Sequence, residues 1–126
     1  MNIATALRTV DLLKPNNYPD SVLINWLSTL DGKLYAEVFS KRRGNPRHHG
    51  FKGYNEKTDP DTTELLVPWP YGDDLYIFYL QMCIDRENGE TRKYNADAQQ
   101  FNTAYKEFCD YWNRNHPPVH RKRFLF

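Results

Sequence analysis

Residues 73–115 constrain the fold of this chain more than any other stretch. They hold two helical patterns back to back, joined by a turn whose signals are all local. The first pattern carries Leu75, Tyr76, Ile77, Phe78, Tyr79 and Leu80, then Met82, Cys83 and Ile84, with Gln81 the only polar break. It ends at Asn88-Gly89, a pair suited to the left-handed backbone that closes a helix. Thr91 is placed to cap the next helix. There Tyr94, Ala98, Phe101, Tyr105, Phe108 and Trp112 recur at steps of four and three, which lines one face with aromatic rings. The opposite face, with Arg92, Lys93, Asn95, Asp97, Gln99, Gln100, Lys106, Glu107 and Asp110, suits water. The pattern predicts an αα-hairpin on which the rest of the chain packs. Its first helix is apolar nearly all round, so it is expected to be central in the bundle, with part of its surface left for another subunit.

Upstream, Ile3, Leu7 and Val10 share one face of a short amphipathic helix, with Leu12 and Leu13 near its end, and Pro15 stops it. Asp20 or Ser21 is placed to cap a second, longer helix. In it Leu23, Trp26, Leu27, Leu30, Leu34 and Val38 keep helical phase for about five turns. One continuous helix is expected across Asp31-Gly32, although glycine costs about 1 kcal/mol there relative to alanine.

Residues 40–72 differ in kind. Lys41-Arg42-Arg43-Gly44-Asn45-Pro46-Arg47-His48-His49-Gly50 is basic and rich in breakers, and residues 54–63 are polar. A short β-hairpin around residues 50–53 is an alternative for one part. Pro68 and Pro70 favour extended backbone, and the apolar segment 67–71 is expected to be pinned against the hairpin. A connection this long inside a compact domain usually carries function or motion. Beyond Trp112 the helix should run to about Asn115, where Pro117-Pro118 forbids continuation. The tail 117–126 is basic, then apolar, a composition suited to docking on a partner. The expected fold is therefore all-α: one domain, a small bundle of about four helices built on the C-terminal αα-hairpin, with a long irregular loop over about 40–72.

At 126 residues there is little room for a second domain. Lys and Arg number 17 against 16 Asp and Glu, a balance without the global signature of a nucleic-acid binder. Aromatic residues make up 15%, and tyrosine and tryptophan suit half-buried surfaces and interfaces. No segment is long and apolar enough to span a membrane. Residues 1–13 lack the basic start and apolar block of a secretory leader, so the expected compartment is the cytoplasm. Cys83 and Cys109 fall roughly 15–20 Å apart along the predicted hairpin axis. That exceeds the roughly 7 Å reach of a disulfide between Cα atoms, so both are read as free thiols.

Motifs for chemistry fail one by one. His48-His49 point apart, and His116 and His120 are separated by two prolines, so neither pair forms a metal site. Asp59-Pro60-Asp61 resembles the start of a calcium loop, but position six is Glu64 rather than glycine and position twelve is Pro70. Asp73-Asp74 at a helix mouth reads as a cap and macrodipole partner rather than a catalytic pair. There is no phosphate loop and no nucleophile elbow, so neither an enzyme nor a cofactor is expected. The candidates for contact with phosphate, a neighbour or an acidic partner are Lys41, Arg42, Arg43, Arg47, Phe51 and Lys52 in the loop, and Arg121, Lys122, Arg123, Phe124 and Phe126 in the tail. A small nucleic-acid-binding protein using residues 41–52 is the second reading.

One stretch brings a family into view: Glu64-Leu65-Leu66-Val67-Pro68-Trp69-Pro70-Tyr71, followed by Asp74-Leu75-Tyr76 and Tyr79-Leu80. With Tyr94-Asn95, Phe101-Asn102-Thr103-Ala104-Tyr105, Trp26-Leu27 and Leu30-Asp31-Gly32-Lys33, the chain resembles the small head–tail connector (adaptor, neck) proteins of long-tailed bacteriophages and Gram-positive prophages. The resemblance covers most of residues 18–116, and its motifs are structural rather than catalytic. It implies an all-α subunit of a ring between the portal protein and a tail-side neck or stopper protein, assembled in the host cytoplasm. Double-stranded DNA would pass through such a ring without sequence-specific contact. A basic loop facing the channel would grip that DNA, so loop 41–52 is expected outside the lumen.

Overall fold

The computed structural model describes residues 1–39 and 51–115. The Asn2 side chain opens the first helix by accepting from the Thr5 N–H at 2.8 Å, a cap the sequence reading did not single out. Helix α1 (Ile3–Leu13) buries Ile3, Ala6, Leu7 and Val10, and leaves Leu12 and Leu13 exposed at its end. Helix α2 (Asp20–Glu37) runs unbroken through Gly32, as its apolar phase predicts. Its start corrects the expected cap: Pro19 holds that position, and Asp20 is the first helical residue, with no side-chain capping bond. Proline there suits a site whose N–H would lack a partner anyway.

Helix α3 (Tyr71–Asn88) begins two residues before Asp73, because the Gly72 N–H already finds the Pro68 carbonyl at 3.0 Å. Gly89, at φ 73°, ends it in the left-handed conformation read from Asn88-Gly89. Helix α4 (Thr91–Asn115) starts at Thr91, and the Tyr94 N–H donates to the Glu90 carbonyl at 2.9 Å, so the cap position falls on Glu90 rather than on Thr91.

Each helix runs antiparallel to the one before it. The Tyr18 hydroxyl, just before α2, reaches Asn88 at the end of α3 (2.7 Å), whereas Asp31 further along α2 reaches Tyr76 (2.5 Å). Tyr79 meets Phe101 (5.4 Å) and Tyr71 stacks on Tyr111 (4.6 Å), so α4 descends along α3. α3 packs against all three other helices, which gives it the central place its composition predicts. The aromatic stripe of α4 faces inward, with Phe108 and Trp112 closing on Phe39 at 5.8 and 4.6 Å. Neither Cys83 nor Cys109 is in a disulfide.

The link between α2 and α3 forms a strap over residues 51–70 rather than a solvated loop. The described residues include no strand, only an isolated antiparallel bridge between Asn2 and Glu64, so the alternative β-hairpin gains nothing over residues 51–53. Leu65, Leu66 and Val67 are buried, whereas Trp69 points outward, so the apolar segment is pinned only in part. The Trp69–Pro70 peptide is cis and Pro70 sits at φ −90°, ψ 0°, so the extended backbone expected across both prolines stops short of Pro70.

Two glycines should respond oppositely to alanine. Around Gly32 a Cβ meets nothing within 4 Å, so Gly32→Ala is expected to raise unfolding stability by about 0.5–1 kcal/mol. At Gly72 it would lie 2.6 Å from the Val67 carbonyl oxygen, a backbone atom, so Gly72→Ala is expected to lower stability by about 1–3 kcal/mol. Urea denaturation of the two variants checks both signs.

Candidate interaction surface

The strap is tied to the start of α1 by backbone bonds, from the Ile3 N–H to the Thr63 carbonyl, the Ala4 N–H to that of Pro60 and the Leu65 N–H to that of Met1, and to α2 and α3 through one carboxylate. Asp31, fully buried on α2, accepts from the Tyr76 hydroxyl at 2.5 Å, from the Tyr54 hydroxyl, and from the Leu66 N–H at 3.2 Å. The Tyr76 oxygen in turn accepts from the Val67 N–H at 2.9 Å, and Ser28 Oγ accepts from the Tyr54 N–H at 2.9 Å. One side chain thus joins α2, the strap and α3. Burial pushes the Asp31 carboxyl up to about 6 against the lowering effect of its three donors. Burial and the Asp31 charge raise both tyrosines, which keeps them protonated as donors.

A second polar clamp closes the opposite end. Lys14 Nζ, just past α1, sits 2.6 Å from both Asp85 oxygens and 3.0 Å from Asp97 on α4. Burial alone would lower Lys14, but its bonds to Asp85 and Asp97 outweigh that and raise it. Asp97, assigned by the sequence pattern to the watery face, is drawn into this cluster.

With the strap fixed, α1, α3 and α4 form a dished face to which α2 contributes no residue. Phe78 stands at its middle and lines grooves on both sides. The larger groove, about 610 Å³, lies between α3 and α4, with Pro70, Tyr71, Phe78 and Ala104 as apolar surface and Asp74 and Glu107 as exposed acids. The smaller, about 360 Å³, lies between α1 and α3 and includes Leu13, Ile77 and Asp73. Trp69, 76% exposed, precedes Pro70 at the larger groove's edge. Asp73 and Asp74 occupy the first turn of α3, where they complement the helix dipole as expected, but neither is the cap: Pro70 holds that position with no side-chain capping bond.

Charge is sharply segregated along the chain. All 16 acidic residues lie among residues 1–39 and 51–115, with ten of the 17 basic ones, so this body carries −6. The remaining seven are Lys41, Arg42, Arg43, Arg47, Arg121, Lys122 and Arg123, a charge of +7 with no acid among them.

Of the sequence-derived contact candidates, Phe51 and Lys52 fall within the described residues. Phe51 is half-buried, its ring 6.2 Å from Tyr35 and 5.2 Å from Tyr54, while Lys52 is exposed. Lys41, Arg42, Arg43, Arg47, Arg121, Lys122, Arg123, Phe124 and Phe126 lie outside the described residues, as do all four histidines. Asp59 accepts from the Asp61 N–H at 3.0 Å in a local turn. Among the described residues no group of three or more His, Cys, Asp or Glu is placed to hold a metal ion, and no helix is long and apolar enough to cross a membrane. Sequence reasoning passed over Asp31, Tyr54 and Tyr76 as a unit. The available signal was an acid in phase with Leu27, Leu34 and Val38. Comparison with protein-family models, curated proteins and solved structures finds no match to the chain.

Two consequences are measurable. Asp31 at about 6 lies above its ordinary 3.8, so the folded state holds this proton more tightly than the unfolded one. Its contribution is complete below about pH 4 and lost as pH rises through 6, about 3 kcal/mol in all. Urea titrations from pH 4 to 8 should show that component in wild type and not in Asp31→Asn. The difference between the two chains isolates it from Asp85, whose carboxyl is also raised by burial and by Asp97. Separately, Lys14→Met strands a buried Asp85 without its cation and should cost about 3 kcal/mol or more at neutral pH by the same assay.

Proposed function

We propose that this chain is a structural subunit of a phage head–tail junction, a connector that acts by ring assembly and docking rather than by chemistry. The observation that carries the reading is the use made of the segment 64–71, whose residues bear the family resemblance. Leu66 and Val67 anchor the strap to Asp31 and Tyr76, and the same segment displays Trp69 at 76% exposure. A buried anchor beside a displayed tryptophan serves binding, since exposed aromatics at a groove edge are typical of interface hot spots. The dished α1–α3–α4 face adds the unpartnered surface that a ring subunit needs. In this reading the partners are a portal ring, neighbouring copies and a tail-side neck protein, with DNA passing through unread.

The segregated +7 favours a second reading, in which residues 41–52 bind nucleic acid. The two separate cleanly. Mixed with the portal ring from its own gene cluster, the connector should move into the portal peak on size exclusion with light scattering, at several copies per ring. A protein that stays folded and never shifts would remove portal docking. The nucleic-acid reading instead requires affinity that falls with a log–log salt slope of about −0.9 per phosphate neutralised, and a flat dependence would sink it.

A further inference from the structure

The larger groove has an acidic edge, a floor that mixes apolar surface with Gln99, Gln100 and Thr103, and no helix across it. Among the described residues no ion pair is formed by Asp73, Asp74 or Glu107, although other carboxylates find cations. We propose that the groove between α3 and α4 is the docking site for the basic–apolar segment 119–126 of a second copy of this chain. Three cations, Arg121, Lys122 and Arg123, stand against the two acids that line this groove, Asp74 and Glu107, and Phe124, Leu125 and Phe126 supply the apolar matter for Phe78, Tyr71 and Ala104. The other basic stretch fits less well, because its one large apolar side chain, Phe51, is already packed on Tyr35 and Tyr54.

Length agrees with this occupant. From Glu107 to Ala96 the groove follows α4 for about 16 Å. Eight residues in extended form reach about 26 Å, enough to cross it. Pro117-Pro118 disfavours continuation of α4 into the segment, and an extended segment is what a groove on a neighbouring copy can receive. The contact is heterologous, the kind that closes into a ring when its rotation is right. Closure into a ring rests on the connector reading, whereas the docking stands on groove and charge alone.

The test is a charge swap in the full chain, read by light scattering over concentration and salt, with circular dichroism confirming the fold. D74K/E107K reverses the groove and R121E/R123E reverses the segment. Wild type should self-associate at low salt. Each variant alone should lose association at least roughly tenfold, and an equal mixture of the two should regain it. The milder D74N/E107Q should lose part of it. A wild type that stays monomeric at the highest attainable concentration overturns the proposal, as do variants that associate like wild type or a mixture that fails to recover. None of these results bears on co-elution with a portal ring, so the connector reading stands or falls separately.

Discussion

The structure depends first on a carboxylate buried without a cation. Asp31 keeps its place because three donors converge on its two oxygens, and each donor comes from a different part of the chain: Tyr54 early in the strap, Leu66 late in it, Tyr76 on α3. A buried carboxylate lacking such donors would be costly by several kcal/mol. The arrangement therefore has one satisfied geometry, and loss of any donor exposes the remaining groups to that cost. Strap and helices are obliged to form together. The constraint on Gly72 has the same origin, since Val67 is held by Tyr76 and its carbonyl oxygen fills the space a side chain would need.

The bundle is fixed at both ends by polar contacts and filled between them by apolar ones. Lys14 sits immediately after α1, and Asp85 and Asp97 flank the α3–α4 turn, so their meeting sets how far α1 reaches along the hairpin. Asp31 does the same for α2 at the other end. Leu, Ile and Val side chains pack in many registers at similar energy, whereas a buried charge tolerates few. The apolar middle supplies stability, and the two clamps choose the register that leaves Phe78 at the centre of an open face.

Much of this was legible in the chain. The α3–α4 hairpin was written in Asn88-Gly89 and in the aromatic steps from Tyr94 to Trp112, because local turn chemistry and one-face periodicity need no knowledge of distant residues. The continuity of α2 through Gly32 was legible for the same reason. The Asp31 cluster was not, because its partners stand 23, 35 and 45 residues away and none carries a pattern of its own. Lys14 and Asp97 were hidden likewise, each resembling a solvated charge until the fold brings Asp85 between them. Trp69 was expected against the hairpin from its apolar neighbours, but it stands exposed between two prolines.

Charge segregation decides what kind of partner such a chain attracts. With a net charge of +1 it exerts almost no long-range pull on a polyanion. Closer in, a nucleic acid meets a body of −6, and a three-cation segment wins only where it stands farther from that body than the roughly 8 Å over which salt screens charge. A second copy meets the opposite situation: its acids face the first copy's cations, and the body that repels phosphate attracts the segment. The larger groove adds apolar surface at Tyr71, Phe78 and Ala104 that phosphate cannot use. Uneven placement of nearly equal charges is thus the feature on which the proposed docking of one copy on another draws.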